Sequence, residues 1–369
     1  MKRLLFSFLA TSTLFQLSSA NPPPNEEPPE VRLGERLFRE PRFAQRFFAQ
    51  AGEGVNAPIR DPEPALARLP EAANRSRDEL GPFAGQTMSC RACHLVDDAK
   101  ARRGLPGGGV STYADFTHRS PVPERDDGMT HTSRNSPALV DVLSGPATLL
   151  HYDGEFATPE ALVMATYTGR NFGWMPQEAG LARSHFARVI REDDGSGELA
   201  QEFGSLSYAV ALRSDGHVAA EWRLPPEYRL EVDAATDDEI LVACARLVAA
   251  YLRSLQFSRA EGGWLNGSPY DAFLEANGVP RGPEPGETNE AYAQRLHGLI
   301  ARLATPKFID DEARALRYHE QQFRFGPLEW EGLRLFFRRA DPAMARKGEG
   351  AGNCAACHTP PHFTDFKFP

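Results

Sequence analysis

The amino-acid sequence predicts a mainly α-helical protein of two similar units, with a small β-hairpin insertion between the two copies of a short cysteine-containing pattern. Apolar residues recur at helical spacing in several segments, one five-residue pattern occurs twice, and one short segment is patterned like a pair of strands. The chain has 369 residues, which is enough for two or three domains with cores of their own. Its 31 glycines and 30 prolines indicate long ordered loops between short helices.

The helices are predicted from periodicity and from capping residues. An amphipathic helix with the sequence Gly-Glu-Arg-Leu-Phe at residues 34–38 opens the first unit, and Gly-Leu-Arg-Leu-Phe at 332–336 opens the second. The helix at residues 240–255 has the clearest start, because Thr236 and Glu239 form a capping box. Further helices are predicted at residues 158–166, 179–191 and 289–304.

The hairpin is predicted within an inserted segment of about residues 170–235. Residues 208–212 and 217–224 are read as its two strands, and Ser-Asp-Gly at 214–216 as the turn that joins them. Two consecutive prolines at 225–226 end the second strand.

Two copies of Cys-x-x-Cys-His carry the chemistry, at residues 90–94 and 354–358. This is the attachment pattern of c-type haem. Two thiols one helical turn apart can each add to a vinyl group of the porphyrin, and the adjacent imidazole can bind the iron. We therefore predict two covalently attached haems, with the cofactor-binding residues Cys90, Cys93, His94, Cys354, Cys357 and His358. His94 and His358 would be the proximal iron ligands.

Two other sites use similar residues, a structural zinc site and a thioredoxin-like redox pair. Zinc would need a closed set of four ligands, and the sequence has no further cysteine pair to complete one. The fifth cysteine, Cys244, lies on the apolar stripe of residues 240–255, where we expect an inert packed thiol.

The N-terminus predicts export. Residues 1–20 combine a basic start, an interrupted apolar stretch and small residues near the end, as in a secretory signal peptide. Residues 21–30 form a Pro/Glu-rich tether. No later run reaches the roughly 20 apolar residues of a membrane span, so we expect a soluble protein in the periplasm or otherwise outside the cytoplasm.

Several segments, in order along the chain, resemble the bacterial di-haem cytochrome c peroxidases. The matching segments are residues 33–38, 89–94, 134–139, 152–154, 158–160, 251–255, 268–271 and 331–358. The resemblance implies two cytochrome c-like domains that face each other. The first would span residues 31–275, a connector 276–325, and the start of the second 326–369. Because only a short stretch follows His358, we expect either a fragment of a longer product or a second haem left open.

The resemblance also suggests further site residues. Asn135 matches an asparagine of a calcium site between the domains, although it could equally cap a turn before Pro137. Tyr152 stands where the family has a tryptophan between the haems, so it could relay an electron or simply pack. His118 or His131 could occupy the sixth position of one iron and swing away on activation.

One short loop supports two opposed expectations. By loose alignment, Glu178 corresponds to the glutamate that moves a proton in the family, a task that peroxide chemistry requires. Met175, three residues earlier, could instead bind an iron through its thioether and close that site.

These observations leave three functional hypotheses. The first is reduction of hydrogen peroxide with electrons from a small periplasmic donor, a cytochrome c or a cupredoxin. The second is a di-haem oxidase of a protein or organic substrate, and the third is a non-catalytic electron carrier. A net charge of -9 excludes a basic nucleic-acid binder and would attract a basic donor. A homodimer is among the expected assemblies.

Overall fold

A computed structural model describes residues 27–67, 80–81, 83–94, 119–143, 149–151, 153–260, 263–314, 322–338 and 354–363. The predicted signal peptide, His118 and Tyr152 lie outside these residues. The described chain is mainly helical, which confirms the predicted class, and no helix in it is long and apolar enough to cross a membrane. The helices are α1 Pro29–Arg39, α2 Gln45–Gln50, α3 Cys90–Cys93, α4 Pro159–Tyr167, α5 Ala179–Glu192, α6 Glu198–Glu202, α7 Tyr208–Arg213, α8 Asp237–Ser254, α9 Pro269–Ala276, α10 Asn289–Arg302 and α11 Pro327–Phe336. The strands are β1 Ile309–Asp311 and β2 Phe323–Phe325.

Helix α8 is the centre of the first hydrophobic cluster, and α1, α4 and α5 pack around it. The predicted capping box is present, since Thr236 accepts from the Glu239 amide and Glu239 from the Thr236 amide. The close approach of α1 depends on Gly34, because a Cβ there would overlap the Leu247 carbonyl of α8. The ring of Phe38 then packs 5.3 Å from that of Tyr251.

The other face of α1 carries arginines, which stack on aromatic rings of residues 203–222. Arg32 lies 4.9 Å from the Trp222 ring, and Arg36 lies 3.8 Å from the Tyr208 ring. Arg36 is fully buried, and its guanidinium donates to the Asp193 carboxylate at 2.7 Å. The segment predicted as an insertion is therefore packed directly on α1.

The predicted β-hairpin is wrong. Helix α7 occupies Tyr208–Arg213, and the second predicted strand contains a short 3₁₀ helix at Ala220–Trp222. Ser207 caps α7 by accepting from the Val210 amide, and Ser214 ends it in a left-handed conformation at φ 49°. Three residues of α7 are buried at helical spacing, Tyr208, Ala211 and Leu212. In so short a segment the apolar pattern fits both a strand and one helical turn, and the caps decide for the helix.

A second hydrophobic cluster is formed by α9, α10, α11 and the two-stranded sheet. The strands are antiparallel, with Ile309 opposite Phe325 and Asp311 opposite Phe323. Phe273 of α9 stacks on Phe325 with ring centroids 4.2 Å apart. Residues 276–325, assigned to a connector by sequence, supply most of this cluster, and α9 joins it rather than the first.

Helices α1 and α11 share the Gly-x-Arg-Leu-Phe pattern of residues 34–38 and 332–336 but differ in their surroundings. Leu37 of α1 is 0% exposed, whereas Leu335 at the same place in the repeat is 53% exposed. A Cβ on Gly332 would meet no atom of the described residues within 4 Å, in contrast to Gly34. The repeat thus predicts the helix in both units, but only α1 has a helix packed on its glycine face in the described residues.

Candidate functional site

The first Cys-x-x-Cys-His motif forms one helical turn beside the first cluster. Helix α3 contains both cysteines, and the His94 amide donates to the Cys90 carbonyl at 3.0 Å. Both thiols are half-buried and pack against the first cluster. Burial raises the pKa of Cys90 and of Cys93 to about 12, so both thiols are protonated at neutral pH.

The His94 ring is fixed by one backbone carbonyl. Its Nδ1 lies 2.9 Å from the Pro137 oxygen. A carbonyl oxygen only accepts, so Nδ1 carries the proton and Nε2 keeps its lone pair. Burial lowers the pKa of His94, and this too favours the neutral ring. Neutral imidazole with a hydrogen-bonded second nitrogen is the form in which histidine binds a metal.

The second motif repeats this geometry. The His358 amide donates to the Cys354 carbonyl at 2.8 Å, and His358 Nδ1 lies 3.1 Å from the Phe363 oxygen. Phe363 is held by its ring, which lies 5.5 Å from that of Tyr270 and 5.6 Å from that of Phe336. Unlike the first motif, both cysteines of the second are exposed.

Both motifs fit a c-type haem better than a closed zinc site. Each pairs two thiols on a turn with an imidazole whose Nε2 is free to bind iron. Zinc would need further His, Cys, Asp or Glu ligands beside each cysteine pair. Within the described ranges, the only group of three such residues with clustered ligand atoms is His151, Asp153 and Glu155, which contains no cysteine.

The loop that carries Pro137 is anchored at several points. The hydroxyls of Ser136 and Ser120 are 2.9 Å apart, and Leu139 packs on the first cluster. Asp141 donates its amide to the Leu255 carbonyl at 2.6 Å and pairs its carboxylate with Arg259.

Glu178 is held as an ion pair, an arrangement that its sequence position alone could not reveal. Arg125 donates to its two carboxylate oxygens at 3.0 Å and 2.8 Å, and the Met175 amide donates at 2.8 Å. Hydrogen bonding from Arg125 lowers the pKa of Glu178. The carboxylate is therefore ionised at neutral pH and can accept a proton. Met175 is half-buried, and its neighbour Trp174 donates from Nε1 to the Phe43 carbonyl at 3.1 Å.

The remaining predicted ligands are less constrained. His131 is exposed, and its Nδ1 lies 2.8 Å from the Thr130 hydroxyl. Asn135 is exposed, two residues before Pro137, and the calcium site stays a prediction. His118 and Tyr152 fall outside the described residues, so the distal ligand and the relay also stay predictions.

Sequence reasoning missed the groups that position the histidines. The acceptors of the Nδ1 protons are main-chain carbonyls of Pro137 and Phe363, which no side-chain pattern marks. Arg125 was missed as well, since its partner Glu178 is 53 residues away in sequence. The only signal was indirect, because Pro137 lies in the segment that resembles the di-haem peroxidases.

Comparisons with known proteins add no assignment. No family model matches the chain, and no curated protein or solved structure matches it. The site must therefore be interpreted from its own geometry, namely two thiols on a turn and one histidine bonded to a main-chain carbonyl in each of the two motifs.

Proposed function

We propose that the chain is a periplasmic di-haem c-type cytochrome of two cytochrome c-like units, which reduces hydrogen peroxide with electrons from a small donor protein. The supporting observation is the geometry shared by the two motifs. In both, the histidine amide donates to the first cysteine carbonyl, and Nδ1 faces a main-chain oxygen. The same orientation of the adjacent imidazole at both cysteine pairs is not expected if the two pairs serve unrelated roles.

The chain's own residues would hold the cofactors. Cys90 and Cys93 would bond one porphyrin through thioether links, and Cys354 and Cys357 the other. The proximal iron ligands would be His94 and His358 through Nε2. A bound haem supplies an iron that exchanges one electron and, where its sixth position is open, binds peroxide. The half-buried first motif suits a protected centre, whereas the exposed second motif leaves room for a partner to approach.

Glu178 is the proton acceptor that the resemblance to the di-haem peroxidases suggests, and its ion pair with Arg125 is the observation in its favour. Peroxide must lose a proton from one oxygen and gain one on the other as the bond between them breaks. A carboxylate kept ionised by Arg125 can take the first proton, and the paired guanidinium would keep it oriented. If Met175 instead closes an iron, the protein would be the electron carrier of the alternative hypothesis.

The test is expression with export and c-type haem maturation, followed by intact mass and by electronic and paramagnetic spectra. We expect two attached haems, a high-spin iron that reacts with peroxide, and turnover with a reduced small cytochrome c. Two haems that stay low-spin on adding peroxide would instead establish a carrier. Peroxide reactivity without donor-linked turnover would favour a protein or organic substrate. A colourless protein would overturn the proposal.

Cysteine variants make this test specific. Cys93→Ala should lose the normal double attachment of the first haem, and Cys357→Ala that of the second. Cys244→Ala is the matched control, because this thiol is buried in α8 outside both motifs. It should keep two haems and unchanged spectra.

A further inference from the structure

Asp141, which ends the loop that carries Pro137, forms an ion pair with Arg259. Arg259 Nη2 contacts the two carboxylate oxygens of Asp141 at 3.3 Å and 3.2 Å. The Asp141 side chain is only 11% exposed. The Arg259 side chain is 29% exposed, so the pair is partly removed from water and is screened less than a fully exposed pair.

Asp141 closes the loop whose carbonyl holds His94. Only three residues separate it from Pro137, and its amide is bound to the Leu255 carbonyl at the end of α8. Asp141 has a positive φ of 65°, a conformation that few residues other than glycine adopt and that the surrounding contacts must enforce. The pair with Arg259 is one of those contacts.

Arg259 is itself fixed on the segment that leads to the second unit. It forms an isolated antiparallel bridge with Leu265, and its Nη1 donates to the Gly263 carbonyl at 3.2 Å. His362, one residue before the carbonyl that holds His358, lies in the field of both Asp141 and Arg259. The ion pair thus joins the end of the loop that carries Pro137 to the segment that leads toward the second unit.

We infer that Asp141 and Arg259 are positioning residues for His94, which set the hydrogen bond from Nδ1 to Pro137 and thereby the reduction potential of the first haem. The inference rests on the proposed haem attachment. A well-aligned bond to the carbonyl makes the imidazole a more basic ligand, which favours the more highly charged ferric iron. Loosening the loop weakens this bond, so the potential rises.

Charge-removing substitutions separate this role from simple electrostatics. Asp141→Asn removes a negative charge, so both mechanisms raise the potential. Arg259→Gln removes a positive charge, which alone would lower the potential, whereas loss of positioning raises it. Arg259→Gln is therefore the decisive variant.

The experiment is a potentiometric titration of both haems, after intact mass has shown that two are attached. We expect Arg259→Gln to shift the oxidised-to-reduced ratio of the first haem threefold to tenfold toward the reduced form, where tenfold is about 59 mV. The first haem is identified by comparison with Cys357→Ala. Arg259→Lys should restore the potential, since a single nitrogen makes both contacts to Asp141.

Arg253→Gln is the matched control. Arg253 pairs with Glu160 of α4 at 2.7 Å and is 48% exposed near the end of α8, so its charge is paired outside the Pro137 loop. It has the same charge change and should leave the potential unchanged or slightly lower. If the potential of the first haem were unchanged or lower in Arg259→Gln with two haems attached, the positioning role would be refuted. The proposed function would stand in that case. A colourless wild type would overturn the proposed function and this inference with it.

Discussion

Replacing Asp193 with alanine should destabilise the first unit strongly. The Asp193 carboxylate accepts from Arg36 at 2.7 Å, from Arg42 at 2.8 Å and from the Tyr208 amide at 3.0 Å. Arg42 also binds Glu40, so it keeps a partner when Asp193 is removed. Arg36 is 0% exposed and would lose the one carboxylate that it pairs with among the described residues, keeping a hydrogen bond to the Leu206 carbonyl.

The expected cost follows from this orphaned charge. Removing one partner of a buried ion pair typically costs about 3–5 kcal/mol, because the remaining charge can neither pair nor reach water. For a unit of this size, 1 kcal/mol moves the unfolding midpoint by about 2–4 °C, so a fall on the order of 10 °C is expected. Loss of this network would also loosen α1, which packs on the first motif helix α3.

The assay is urea and thermal unfolding, followed by far-UV circular dichroism on the haem-loaded protein. Glu202→Ala is the matched control. Glu202 pairs at 2.7 Å with Arg39, which lies in α1 like Arg36, but the Glu202 side chain is 54% exposed. An exposed pair contributes at most about 1 kcal/mol. If Asp193→Ala lost no more stability than Glu202→Ala, the account of a buried, interdependent network would be wrong.

The same network predicts that the stability contributed by Glu40 is lost at acid pH. Burial alone would raise the pKa of Glu40, but the charges and hydrogen bonds of Arg42, with a contribution from Arg36, hold it below 4.5. A carboxyl group whose pKa is lower in the folded than in the unfolded protein stabilises the fold at pH values above its unfolded pKa. This contribution to the free energy of unfolding is lost as the pH falls through the folded pKa. The stability difference between wild type and Glu40→Gln should therefore narrow below about pH 4.5. A difference that stayed constant down to pH 3 would contradict the assigned charge state.

Three further predictions use other parts of the molecule. Gly34→Ala should lower the free energy of unfolding by about 1–3 kcal/mol or more, since its Cβ would overlap the α8 backbone. In the same unfolding assay, Gly332→Ala should raise this free energy by up to about 1 kcal/mol, because no described atom lies near its Cβ. Arg125→Gln should raise the pKa of Glu178, so the acid limb of peroxide turnover should move to higher pH; an unmoved limb would remove Glu178 as the proton acceptor. If both motif pairs carry haem as proposed, Cys244 should be the single thiol to react with a thiol reagent, and only after unfolding, because it is fully buried and burial raises its pKa.

The helices could be predicted because their signals are local. Thr236 and Glu239 start α8 by a contact between neighbours in sequence, and the same kind of cap starts α9 at Ser268 with Asp271. The motif turns are local for the same reason. The hairpin failed because Tyr208–Arg213 is too short for periodicity to choose between strand and helix.

The supports of the site could not be predicted, because they join residues that are distant in sequence. Arg36 and Asp193 are 157 residues apart, and Asp141 and Arg259 are 118 apart. Nothing in the composition of either segment selects the other. The acceptor for His94 is a main-chain oxygen, which every residue has, so only the folded chain identifies Pro137.

The repeated pentapeptide Gly-x-Arg-Leu-Phe, at residues 34–38 and 332–336, shows which structural features a short sequence pattern can predict. Gly34 and Gly332 occupy the same place in the repeat, and each belongs to a helix that precedes a Cys-x-x-Cys-His motif. In α1 the glycine admits the α8 backbone, so the helix is covered and Leu37 is buried. In α11 the glycine face is open and Leu335 is half-exposed. The pattern therefore encodes a helix with a face able to accept a close neighbour, while the neighbour determines how deeply the adjacent motif is enclosed. The first cysteine pair is half-buried and the second is exposed, in line with this division, so haems attached to the two otherwise alike motifs would differ in potential and in access.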